Sequence, residues 1–153
     1  MTFVSSELIR RLAGDENVES EHLRRGLTDG TIVIPANVCR VPERPVAIGA
    51  GLRTKVNANI GTSEDYADLE VELKKLRTAV EAGTDTVMDL STGGDLAGIR
   101  RRILEESPVP VGSVCIYEAA VEAVRREGTI LAMTGEGMLE ALRRHAADGI
   151  DFV

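Results

Sequence analysis

The sequence predicts an α/β fold. It reads as the opening part of a (β/α)8 barrel, with three β/α units and the start of a fourth strand, preceded by a small N-terminal helical and extended segment. Two observations carry that expectation. From about residue 55, short apolar runs alternate with runs whose apolar residues recur at helical spacing; a β-α-β-α order calls for a parallel sheet with helices on its faces. The chain also repeats itself. "EAGTDTVMDL" (81–90) and "AADGIDFV" (146–153) both close a helix with glycine and then place Asp and Val, so Gly83 matches Gly149, Asp85 matches Asp151 and Val87 matches Val153. Repeated β/α units build barrels, and a complete one takes about 250 residues. The 153 residues hold three units and a stub. Residues 1–50 are read as the preceding segment and residues 51–153 as the barrel portion.

Residues 5–13 and 19–26 read as short helices, with Ser20 capping the second. "TIVIPAN" (31–37) and "PVAIG" (45–49) read as extended, since their prolines exclude helix, with "VCRVPERP" a loop between them. "KVNANI" (55–60) is a strand in which Val56, Ala58 and Ile60 suit a core. Thr62 or Ser63 caps the next helix, which carries Leu69, Leu73, Leu76 and Val80 on one stripe and ends at Gly83. "DTVMDL" (85–90) is the second strand. Asp95 then opens a helix with Ile99, Ile103 and Leu104 on one side, stopped by Ser107-Pro108. "VPVGSV" (109–114) is the third strand. Helices follow from about Glu118 to Arg126 and around Met138, Leu139 and Leu142, and "IDFV" starts the fourth strand.

Hydrophobic residues make up 43% and aromatics only 3%, so Val, Ile, Leu, Ala and Met must fill the core. A net charge of −7 argues against nucleic acid or an anionic membrane as partner. No apolar run approaches the roughly 20 residues of a membrane span. The N-terminus becomes charged too early for a signal peptide, which predicts a cytoplasmic protein. Cys39 and Cys115 read as free thiols, and two thiols without CxxC spacing do not hold an iron–sulfur cluster by themselves. His22 and His145, flanked by charge on expected helices, read as surface histidines.

In parallel-sheet folds, ligands bind beyond the carboxyl ends of the strands. The first end carries Asn57 and Asn59, whose spacing points both amides to one side of a strand. An amide offers donors and an acceptor together. Ligand binding is expected of Asn59 more than of Asn57, which reads as deeper. "DLSTGGD" (89–95) has the composition of a phosphate-cradling loop, but Asp95 at the helix start would repel a phosphate and favours an ordinary βα turn. Met88 by itself reads as core. Tyr117 reads as a ring-stacking or hydrogen-bonding group, or equally as buried packing. Asp85, Asp89 and Glu118 are carboxylates with no visible partner, and no nucleophile–base–orienter set is apparent.

Taken together, "GLRTKVNANIGTS" (51–63), "AGTDTVMDLSTGGD" (82–95) and "ILEESPVPVGSVCIYEAAVEA" (103–123) resemble the phosphomethylpyrimidine synthase family of thiamine biosynthesis. The upstream "GLTDGTIVIPANV" (26–38) resembles that family's approach to its barrel. The resemblance implies a (β/α)8 lyase that converts 5-aminoimidazole ribonucleotide into hydroxymethylpyrimidine phosphate. It implies S-adenosylmethionine and a [4Fe–4S] cluster as the radical source, with a zinc-type divalent metal. Carried onto this chain, it makes Asn59, Met88 and Tyr117 substrate contacts. Cys115 stands where the family usually has Pro, and Cys39-Arg40 where it commonly has Asn-His. The family's next substrate contact, its metal-binding histidines and its cluster cysteines would fall beyond Val153. No catalytic, cofactor-binding or metal-ligating residue is therefore expected here.

The expectation is the N-terminal part of such an enzyme, inactive alone: a fragment, a truncated gene product, or one half of a split enzyme that a C-terminal polypeptide would complete. The alternative is a non-catalytic remnant acting as a ligand-binding or interaction module. Apolar sheet edges near Val56 and at residues 150–153 predict a dimer or larger homo-oligomer. Against that stands a monomer whose residues 1–50 fold over the open side.

Overall fold

The computed structural model describes residues 4–153; residues 1–3 of the expected N-terminal segment lie outside them. Helices α1 (Ser6–Glu16) and α2 (Ser20–Asp29) come first. The Ser5 hydroxyl caps α1 by accepting the Leu8 N–H, and Asn17 ends it in the left-handed conformation at φ 54°. The cap of α2 is Glu19 rather than Ser20, which is already helical. The two proline-punctuated stretches shrink to β1 (Ile32–Val33) and β2 (Ile48–Gly49), paired antiparallel. Ile9, Leu12, Ala13, Leu23, Ile32 and Ala47 give these elements a small core of their own.

Strands β3 (Asn57–Ile60), β4 (Thr86–Asp89) and β5 (Val111–Ser113) form a parallel sheet in the order β3-β4-β5. They alternate with helices α3 (Leu69–Glu81), α4 (Leu96–Glu106) and α5 (Cys115–Glu127). A 3₁₀ turn (Ile130–Ala132) and α6 (Gly135–Asp148) follow. Ile60, Val87 and Val111 meet Leu73 and Leu76 of α3 and Ile99, Ile103 and Leu104 of α4 in one aromatic-free core. Fully burying each such side chain stabilises by roughly 1.5–3 kcal/mol, which fixes these helices to one face of the sheet. Among the described residues, no helix is long and apolar enough to cross a membrane.

Several boundaries move. Asp68 caps α3, accepting from the Glu70 and Val71 N–H groups, because the Thr62 hydroxyl is committed instead to the Gly93 carbonyl at 2.7 Å. Helix α5 begins at Cys115, before Glu118, since the Tyr117 N–H already closes on the Val114 carbonyl. Val56 is 62% exposed, not core, because it lies before the ladder starts. "IDFV" contributes one parallel bridge, Phe152 to Gly112, rather than a strand. A Cβ on Gly112 would strike the Phe152 ring, so only glycine allows this approach.

The sequence repeat acquires a physical meaning. Asp85 accepts the Val56 N–H at 2.8 Å, at the foot of β3, and pairs with Arg53. Asp151 accepts the Val111 N–H at 2.8 Å, at the foot of β5, and pairs with Arg40. Each aspartate thus fastens the start of one strand to its neighbour and to an arginine from earlier in the chain. Burial opposes ionisation of Asp85, but the Arg53 and Val56 hydrogen bonds outweigh it and hold its pKa below the usual range. Neither aspartate is an unpartnered carboxylate. Arg40 also donates to the carbonyls of Leu104 and Val109 at 3.2 Å.

Candidate functional site at the open face of the sheet

Parallel register decides which side chains share a face. Asn57 lies opposite Thr86, Asn59 opposite Met88, and Met88 opposite Gly112. Adjacent residues in register point the same way. The alternate set, Ile60, Val87 and Val111, is the one buried against α3 and α4. Asn57, Asn59 and Met88 therefore stand on the opposite face, where both asparagines are exposed and Met88 is half-buried.

The two amides are not independent. The Thr86 hydroxyl lies 2.8 Å from the Asn57 side-chain oxygen, and the Asn57 amide nitrogen lies 2.9 Å from the Asn59 side-chain oxygen. Tyr117 stands outside this ladder, 43% exposed in the first turn of α5 beyond the end of β5. The structure thus brings Asn59 and Met88 side by side and sets Tyr117 on a neighbouring βα connection.

The loops beyond the strands are braced by their own polar groups. The Gly61 N–H donates to Glu72 at 2.8 Å, and Lys75 donates to the Gly61 carbonyl at 3.2 Å. The Thr62 N–H donates to the Ser91 hydroxyl at 3.1 Å. Ser91 in turn donates to Asp89, through N–H at 3.0 Å and hydroxyl at 2.5 Å. Burial raises the Asp89 pKa, and the Ser91 bonds offset this only in part. Asp95 caps α4 by accepting the Gly98 N–H. "DLSTGGD" is accordingly a turn whose hydroxyls are spent on loop-to-loop bonds. Gly93 packs so closely that a Cβ would overlap the Ser63 carbonyl. Gly93→Ala is expected to cost about 1–3 kcal/mol by forcing the two loops apart; urea denaturation checks this, and an unchanged midpoint would refute the close approach.

A second polar cluster was not legible in advance. His145 is 3% exposed, not a surface residue. Its Nδ1 lies 2.6 Å from the Ser113 hydroxyl and its Nε2 lies 2.7 Å from Glu118. Glu118 also takes ion pairs from Arg100 and Arg144, and Arg100 pairs with Asp148. Burial works against the Glu118 charge, but the His145 and Arg100 bonds prevail and lower its pKa to about 2. Serine, histidine and carboxylate in sequence suggest a catalytic triad, yet all three are buried and the carboxylate is neutralised by arginine. The cluster ties β5, α4, α5 and α6 together. The one signal in the sequence was spacing: His145 follows Ala141 by one helical turn, on the buried stripe of α6.

The Radical SAM ThiC family model matches residues 3–153. Phosphomethylpyrimidine synthase from Methanopyrus kandleri is 51% identical over 148 residues, covering 96% of this chain and 34% of that protein. Phosphomethylpyrimidine synthase 1 from Methanothermobacter thermautotrophicus is 50% identical over 150 residues, covering 98% of this chain and 35% of that protein. A protein named 5-hydroxybenzimidazole synthase BzaB, from Moorella thermoacetica, is 50% identical over 145 residues, covering 95% and 34%. The chain spans about a third of the length of the curated relatives it matches.

Proposed function

Because the chain belongs to the radical SAM ThiC family, we propose that it is part of a thiamine-biosynthesis lyase and contributes that enzyme's first substrate contacts. The substrate is 5-aminoimidazole ribonucleotide and the product hydroxymethylpyrimidine phosphate. Asn59, Met88 and Tyr117 hold the nucleotide. The observation that supports this most is the adjacency of Asn59 and Met88 on the sheet face that no core helix covers. Polypeptide beyond these 153 residues closes a (β/α)8 barrel over that face. The enzyme works in the cytoplasm, in keeping with two free thiols, Cys39 and Cys115.

The family's S-adenosylmethionine and [4Fe–4S] cluster supply the radical, and a zinc-type metal accompanies them. The residues here do not fit the cluster: Cys39 lies on an exposed loop and Cys115 opens α5, and two thiols fall short of a cluster's ligand set. Among the described residues, no group of three or more His, Cys, Asp or Glu could hold a metal ion. What these residues do is bind and orient. Asn59 hydrogen-bonds a polar atom of the nucleotide, Met88 offers an apolar contact beside it, and Tyr117 closes the ring from the α5 side.

The relative named 5-hydroxybenzimidazole synthase carries a second reading, in which the same contacts serve formation of 5-hydroxybenzimidazole. Product analysis separates the two. The intact protein, with reconstituted cluster and S-adenosylmethionine, is expected to yield the pyrimidine phosphate from the ribonucleotide. Release of 5-hydroxybenzimidazole would assign the other activity, and neither product would reject both.

The outer edge of β3 is unpaired within the described sheet, with Val56 62% and Val153 66% exposed. A polypeptide of these 153 residues is therefore expected to associate into dimers or larger species through its edges. Light scattering over a dilution series checks this, and a concentration-independent monomer would end the idea.

A further inference from the structure

We propose that Asn57 and Thr86 act as positioning residues that fix the polarity of Asn59, so that Asn59 meets its ligand as a hydrogen-bond donor. The inference rests on the proposed ligand site but concerns which atom of the ligand Asn59 reads. The chain of bonds starts at Thr86, a buried residue opposite Asn57 in register. Its hydroxyl donates to the Asn57 oxygen at 2.8 Å. That leaves the Asn57 amide nitrogen turned along the strand, where it donates to the Asn59 oxygen at 2.9 Å. A primary amide has one acceptor oxygen and two N–H donors. With its oxygen turned toward Asn57, Asn59 offers the open face its two N–H groups.

The complementary ligand atom is an acceptor: an unprotonated ring nitrogen, a ribose or carbonyl oxygen, or a phosphate oxygen. In 5-aminoimidazole ribonucleotide the exocyclic amine is a donor and is excluded as the partner of Asn59. Without the relay, the Asn59 amide could rotate and accept from that amine equally well. Thr86 and Asn57 therefore select one face of the heterocycle without touching it.

Asn57→Asp tests the relay at constant shape. A carboxylate only accepts, so it keeps the Thr86 bond but obliges Asn59 to rotate, donating its N–H to position 57 and turning its oxygen toward the ligand. In side-chain amide spectra of the intact protein without ligand, the slowly exchanging proton is expected on Asn57 in wild type and on Asn59 in Asn57→Asp. With 5-aminoimidazole ribonucleotide as probe, Asn57→Asp is expected to weaken binding about tenfold or more, with the thermal midpoint measured alongside. Thr86→Val is expected to blur the preference and weaken binding by less. A slowly exchanging Asn59 amide in wild type overturns the inference. So does undiminished binding by Asn57→Asp when Asn59→Ala binds weakly. Equal binding by wild type and Asn59→Ala would instead reject the ligand site, while the amide spectra still decide the relay.

Discussion

Glu118→Ala is expected to destabilise the protein by about 3–5 kcal/mol, the range for removing one partner of a buried ion pair. The side chains of Arg100 and Glu118 are 3% and 9% exposed, so the guanidinium would keep Asp148 but lose its other carboxylate, with little water to replace it. His145 would lose one of its two neighbours at Nε2, the other being Arg100 at 2.9 Å, and Arg144 one of its two carboxylates. Three elements, α4, α5 and α6, meet at this carboxylate, and urea denaturation at neutral pH is the measurement. A shift below about 1 kcal/mol would mean that the network is solvated and incidental. Glu118→Gln should fall between, since it keeps the shape and part of the bonding but not the charge.

The same residue gives the acid response its sign. The folded-state pKa of about 2 lies below the ordinary value of 4.5. Its contribution is therefore complete above the ordinary value and disappears as pH falls toward the folded one. Wild type should lose stability across that window, and Glu118→Gln should lose less. Parallel acid titrations followed by circular dichroism would contradict this if both fell along one curve.

Arg40→Ala is expected to cost about 3 kcal/mol, near the lower end for a broken buried pair. The Asp151 side chain is wholly buried, whereas Arg40 keeps 16% exposure. Asp151 would retain the N–H groups of Asn37 and Val111, at 3.0 and 2.8 Å, which limits the loss. The guanidinium does more than neutralise charge, because it also donates to carbonyls at the end of α4 and the approach to β5. A lysine ammonium has no such planar fork. Arg40→Lys should therefore recover less than half of the loss in the same denaturation assay; full recovery would reduce Arg40 to a point charge.

How much of this was legible depended on whether a feature is local. The stripes Leu69, Leu73, Leu76 and Ile99, Ile103 were readable because helical spacing is written within a few residues, and their residues do form the core. The repeat of Asp85 and Asp151 was visible, but not its purpose, since Arg53 and Arg40 answer them from distances of 32 and 111 positions. His145 looked like a surface histidine and Glu118 like a carboxylate without a partner for the same reason: their partners come from separate elements. The family resemblance pointed to Asn59 and Met88, while their adjacency depends on the pairing of Asn57 with Thr86 and of Asn59 with Met88. Register of this kind is set by tertiary packing and cannot be read along one strand.

Calorimetric titration of 5-aminoimidazole ribonucleotide into the intact protein, wild type against Asn59→Ala, tests the proposed site most directly. If Asn59 makes a hydrogen bond that the bound ligand buries, its loss costs about 1–3 kcal/mol, or roughly 5- to 150-fold in affinity. The predicted result is binding by wild type and a loss within that range for Asn59→Ala, at an unchanged thermal midpoint. Equal affinity for the two proteins, or no binding by wild type, would contradict it.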